Sequence, residues 1–139
     1  MGLIRAKIEV VNSDDVALHR RGYLRKEEIR KMEINALVDT GAYMMAINET
    51  IQTQLGLAKL GEELFENADG SKQSFEIVGP VDIHFENRRT VCRALKLPGN
   101  AEPLLGSIPL EDMDVLIDPK QQRLIVNPFH PYIPEKPLK

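Results

Sequence analysis

The chain has 139 residues, 42% hydrophobic and 28% charged, with a net charge of −3 at pH 7, the size and make-up of a single globular domain. No apolar run approaches the ~20 residues of a membrane-crossing helix, and the slight acidity argues against nucleic-acid binding by a basic surface. The one cysteine, Cys92, excludes an intrachain disulfide; with a start, MGLIRAKIEV, whose charges interrupt its apolar pattern and so do not suit a signal peptide, it points to a reducing cytoplasm.

Residues 2–11 alternate, with Ile4, Ala6, Ile8 and Val10 against Arg5, Lys7 and Glu9, which predicts a half-buried strand. Asn12 to Asp15 form a turn with helix-capping residues, and Val16 to Arg20 a short helix stopped by Gly22. Glu27 to Lys31 adds a helical turn. From Met32 the period falls to two: Ile34, Ala36 and Val38 share one face, and Leu37 and Asp39 the other, so Asp39 ends a strand. Gly41 lets the chain turn, and Tyr43 to Ile47 forms a second buried strand. Asn48 then caps a helix bearing Ile51 and Leu55 on one face, and Gly56 stops it.

Leu60–Ala68 and Lys72–Val78 flank Asp69-Gly70, a strong hairpin signal. Gly79-Pro80 breaks the chain. Val81 to Phe85 alternates, Asn87-Arg88 turns, and Thr90 to Leu97 returns. After the loop Pro98-Gly99-Asn100 comes the compact unit Leu104-Leu105-Gly106. Ser107 to Asp112 is a short helix capped by Ser107, with Pro109 in its first turn. Two further strands, Val115–Ile117 and Arg123–Val126, are joined by a turn at Asp118. The proline-rich tail, residues 129–139, is expected to be extended and partly disordered. Short strands, regular turns and one or two short helices predict a mostly β domain over residues 1–128, a closed barrel or a sandwich.

The chemistry is found by elimination. His19, His84 and His130 lie far apart without metal-ligand spacing and suit surface imidazoles. The clusters His19-Arg20-Arg21 and Arg88-Arg89 are short and suit solvated faces. Cys92 sits in an alternating segment and suits a buried structural thiol. Nucleophile elbows, phosphate loops and cysteine clusters are missing from the sequence, and Asp69 and Asp118 have turn explanations. Asp39-Thr40-Gly41 remains. The tripeptide alone is a weak signal, but it follows one strand, precedes another, and is answered by Leu104-Leu105-Gly106 far along the chain.

Ala36-Leu37-Val38-Asp39-Thr40-Gly41-Ala42 together with Leu104-Leu105-Gly106 resembles the retropepsin-like aspartic proteases, in particular the bacterial single-domain relatives of the retroviral enzymes. Glu27-Glu28-Ile29-Arg30, Ala68-Asp69-Gly70-Ser71, Gly79-Pro80-Val81, Ala101-Glu102-Pro103, and Ile117-Asp118-Pro119 through Asn127-Pro128 extend the likeness over about residues 2–130. It implies a small closed β-barrel acting as a cytoplasmic homodimer on a peptide or protein substrate, with no metal, cofactor, nucleic acid or membrane involved. Asp39 would be catalytic, one copy from each subunit. Thr40, Gly41 and Ala42 would support the loop, Leu104, Leu105 and Gly106 would pack as its floor, and Ala68, Asp69, Gly70 and Ser71 would tip a flap.

Two features depart from the family pattern. The hairpin tip is more polar than retroviral flaps, and Tyr43-Met44-Met45 is bulky beside the acid. They leave open a dimeric module on the same fold that binds an extended peptide without cleaving it. A monomeric structural barrel is the third alternative.

Overall fold

The computed structural model describes residues 3–139. It is mostly β: β1 Arg5–Asn12, α1 Ser13–Arg20, β2 Lys31–Val38, β3 Met45–Asn48, α2 Glu49–Leu55, β4 Ala58–Glu66, β5 Lys72–Phe85, β6 Arg88–Leu97, β7 Leu104–Leu105, α3 Ser107–Met113, β8 Val115–Asp118 and β9 Arg123–Val126. The three short α-helices stand at the three places where the sequence pattern puts helices, one more than the overall tally of one or two. The turn expected at Glu27–Lys31 is a 3-10 turn at Lys26–Glu28, and Lys31 already belongs to β2. Gly2, placed in the first strand by pattern, lies outside the described residues. Among these residues no helix is long and apolar enough to cross a membrane.

Seven strands form one sheet in the order β1-β2-β7-β3-β6-β5-β4, and a further β1–β5 pairing closes it into a ring with β4 as an outer arm. The ring encloses Ile8, Val10, Ala36, Met45, Ile47, Val78, Val81, Ile83, Ala94 and Leu105. The length of β5 permits the closure. Its first half pairs with β4 and its second half with β1, while β6 pairs along its other edge from Ile77 to Phe85. Gly79-Pro80 does not break this strand as its composition suggests. It sits at a register shift between Val78 and Val81, because proline offers no N–H and a bulge absorbs the gap in the ladder.

Local chemistry sets the helix ends. The Asn12 side chain accepts from Asp15 N–H at 3.1 Å and starts α1 earlier than Val16. Asn48 accepts from Ile51 N–H at 2.8 Å, and Gly56 ends α2 in the left-handed region (φ +60). α3 departs from expectation: Gly106, not Ser107, occupies its cap position. The tail departs further. It folds back over the body, where Asn87 donates to the Pro131 carbonyl at 2.8 Å and Lys136 Nζ to Asp112 at 3.0 Å.

Candidate active site

β2 and β3 flank Asp39 but are not neighbours. β7 lies between them, Leu37 and Val38 pairing in parallel with Leu104 and Leu105, and Leu104 pairing antiparallel with Ala46. A strand drawn from some sixty-five positions away therefore wedges apart the two strands that carry the acid's loop. Leu37 N–H donates to Pro103 O at 2.9 Å, and Asp39 N–H to Leu105 O at 3.1 Å, so the ladder continues one residue beyond β2. Asp39 is half-buried at the mouth of this wedge.

The turn is then fixed from both sides. Asp39 Oδ1 accepts the Gly41 N–H at 3.0 Å, and Ala42 N–H donates to Asp39 O at 3.1 Å. From beneath, the free N–H groups at the start of α3 find loop carbonyls: Ser107 N–H reaches Ala42 O at 2.8 Å and Ile108 N–H reaches Tyr43 O at 3.1 Å. Ser107 Oγ also donates to Tyr43 O, at 3.2 Å. Ser107 therefore supports the acid's loop instead of capping its own helix. Gly106 makes this approach possible, since a Cβ there would lie 2.4 Å from Met44 O and 2.9 Å from Ala42 O.

Asp39, Gly41, Ala42, Leu105 and Ser107 are thus brought into one hydrogen-bonded unit with Gly106 packed against it, and Leu104 packs on a second apolar cluster with Met44, Ala46, Ile77 and Leu95. Thr40 is exposed. Met44 and Met45 are buried core, whereas Tyr43 is 69% exposed beside the loop. The hairpin tip, Ala68 to Ser71, makes no hydrogen bond to the Asp39 loop among the described residues. Its own turn is tight: Asp69 Oδ1 accepts from Ser71 N–H at 2.9 Å and Ser71 Oγ at 2.6 Å, which lowers the Asp69 carboxyl below its usual range. The outer half of the arm packs toward the site, where Phe65 and Phe75 stack edge to face at 5.7 Å against the Met44 cluster.

Asp39 has no ion-pair partner among the described residues, whereas the two fully buried acids, Asp15 and Asp82, each have one. Asp15 is gripped by Arg30 at 2.8 Å and 2.9 Å, and that guanidinium lowers its carboxyl. Asp82 is held by Arg89 at 2.6 Å. Among the described residues no group of three or more His, Cys, Asp and Glu is placed to hold a metal ion.

Three further residues differ from expectation. Arg88 is not on a solvated face. The turn falls at Glu86-Asn87, so Arg88 opens β6 on the inward face with Thr90 and Ala94, its side chain wholly buried. His130 is not a free surface imidazole: its Nδ1 lies 2.7 Å from Asp114 and its Nε2 2.8 Å from Glu135. Asp114, which drew no attention in the sequence, is the hub of that cluster. No family model matches the chain, and no curated protein matches it.

Proposed function

We propose that the chain is a retropepsin-like aspartic endopeptidase that works as a cytoplasmic homodimer on a barrel of acid-protease type. The observation that carries the reading is the Asp39 loop: an unpaired acid on a turn clamped between β7 and the start of α3. One chain holds one such acid, and hydrolysis by this chemistry needs two, so the second comes from a second copy across a two-fold axis.

Two carboxylates a few ångströms apart do not both ionise, and the pair shares one proton. The ionised Asp39 takes a proton from a water, which attacks the peptide carbonyl, while the protonated Asp39 donates to the carbonyl oxygen. The dyad titrates as one unit and activates water without metal or cofactor. The Gly41 N–H on Oδ1 orients each carboxylate. Thr40 ties the two loops together, Leu104, Leu105 and Gly106 floor them, and the hairpin tip from Ala68 to Ser71 closes over the peptide.

The test is peptide cleavage between pH 4 and pH 7 by the purified chain and by Asp39→Asn. Cleavage that survives the substitution would sink the reading. A second reading, a dimeric module that holds an extended peptide without turnover, is favoured by the polar hairpin tip and exposed Tyr43. It predicts peptide capture that Asp39→Asn leaves unchanged and no hydrolysis by the parent chain.

A further inference from the structure

The proposed chemistry makes no use of the tail, yet the fold invests a buried charge cluster in holding it. Asp114 closes α3 in the left-handed region (φ +54). Its carboxylate accepts from the Asn127 side chain at 2.9 Å, His130 Nδ1 at 2.7 Å and Glu135 N–H at 3.0 Å. Arg88 stands 3.7 Å from the same carboxylate and donates to the His130 carbonyl. Chain termini of this composition are ordinarily loose. This one is curled and clasped.

What the clasp turns outward is apolar. Phe129 is 86% exposed and Tyr132 89%, with Ile133 beside them, Pro131 between, and Pro128 and Pro134 on either side. Aromatic rings on a pre-fixed backbone lose little freedom on binding, which favours them as interface anchors. A fitting recess lies on the hairpin that leads into this tail. β8 and β9 form a two-stranded sheet. Beside it a cavity of about 280 Å³ is lined by Thr40, Leu110, Leu116, Ile117 and Leu124 among others. The recess is mostly aliphatic and reaches the residue next to Asp39.

We infer that Phe129 and Tyr132 of one copy dock into the Thr40–Leu116 recess of a second copy, and reciprocally, so that the clasped tails seal the dimer. The inference rests on the homodimeric reading above. Two-fold symmetry requires each contact to be made twice, and one chain carries both halves of the contact. Continuity supports the second copy as occupant: the recess opens at Thr40, where that reading brings two chains together. Area supports it too. Four aromatic rings over two copies bring about 600–1,000 Å². With the recess walls they cover, the total reaches the roughly 1,200–2,000 Å² of a stable interface.

Sedimentation velocity across micromolar concentrations tests this with the full chain, the double variant Phe129→Ser/Tyr132→Ser, Leu116→Glu, and Asp39→Asn. All the altered side chains are exposed or half-buried, and far-UV circular dichroism checks each fold. The parent and Asp39→Asn should be dimers. The tail variant and Leu116→Glu should weaken dimerisation roughly tenfold or more. A tail variant that dimerises as tightly as its parent overturns this inference and leaves the homodimer standing. A parent chain that stays monomeric overturns the homodimer, and this inference with it.

Discussion

Gly106 lies so close beneath the Asp39 loop that a Cβ at its position would stand 2.4 Å from the carbonyl oxygen of Met44. The obstacle is backbone, and that backbone is pinned by the Ser107 and Ile108 N–H bonds to the preceding carbonyls. Gly106→Ala should therefore cost about 1–3 kcal/mol, the usual range for overpacking. At Gly41 the added Cβ would meet only the Asp39 side chain, at 3.3 Å, so Gly41→Ala should cost less. Denaturant titration of both variants checks the order. Equal losses would mean that the loop does not rest on α3 as described.

Asp39→Asn should separate chemistry from folding. The asparagine carbonyl oxygen still accepts the Gly41 N–H, and no ion pair is lost among the described residues. Stability should shift by less than about 0.5 kcal/mol, as for most surface changes. On the proposed mechanism, peptide cleavage should fall by about a thousandfold or more, because the variant removes both the acid and the base of the proposed dyad. Initial rates on one peptide, with melting temperatures measured beside them, decide it.

How far the sequence discloses this molecule depends on the range of each interaction. Asn48 and Gly56 bound α2 through contacts a few residues long, and the expected cap and stop stand where the pattern puts them. Asp69-Gly70 likewise makes its hairpin turn. The Asp39 loop was legible as an acid at a strand end, but nothing local says that β7 enters between β2 and β3. The resemblance supplied the pairing of Leu104-Leu105-Gly106 with that acid. Arg88 reads as a solvated residue only with the turn at Asn87-Arg88, one residue later than where the chain turns. Strand parity with Thr90 and Ala94 was the available signal that it points inward. The tail's docking is not legible in the sequence because its anchors, Asp114 and Asp112, lie at the far-off α3, and proline content reports backbone preference without reporting partners.

Cys92 should behave as an inert thiol. Burial pushes it up to about 12, and the negative charges of Asp112 and Asp82 add to the effect. The thiolate is the reactive form, so very little is present at neutral pH. A thiol reagent at pH 8 should label the native chain far more slowly than the chain in denaturant. Equal rates would show Cys92 to be open to solvent.

Asp114 makes the tail's attachment sensitive to acid. The Glu135 N–H, then the Asn127 side chain and His130, hold its carboxyl down to about 2 from an ordinary 3.8. A carboxyl lowered by folding stabilises the folded chain above its unfolded-state value and loses that contribution as pH falls toward the folded one. The contribution should be full above about pH 5 and fade between about pH 4 and pH 2. Its size is about 1–2 kcal/mol. Asp114→Asn isolates it, since asparagine tolerates the left-handed backbone found there. At pH 7 the variant should be less stable by that amount, and the gap should close as both proteins are taken toward pH 2. A gap independent of pH would trace the loss to packing and not to the charge.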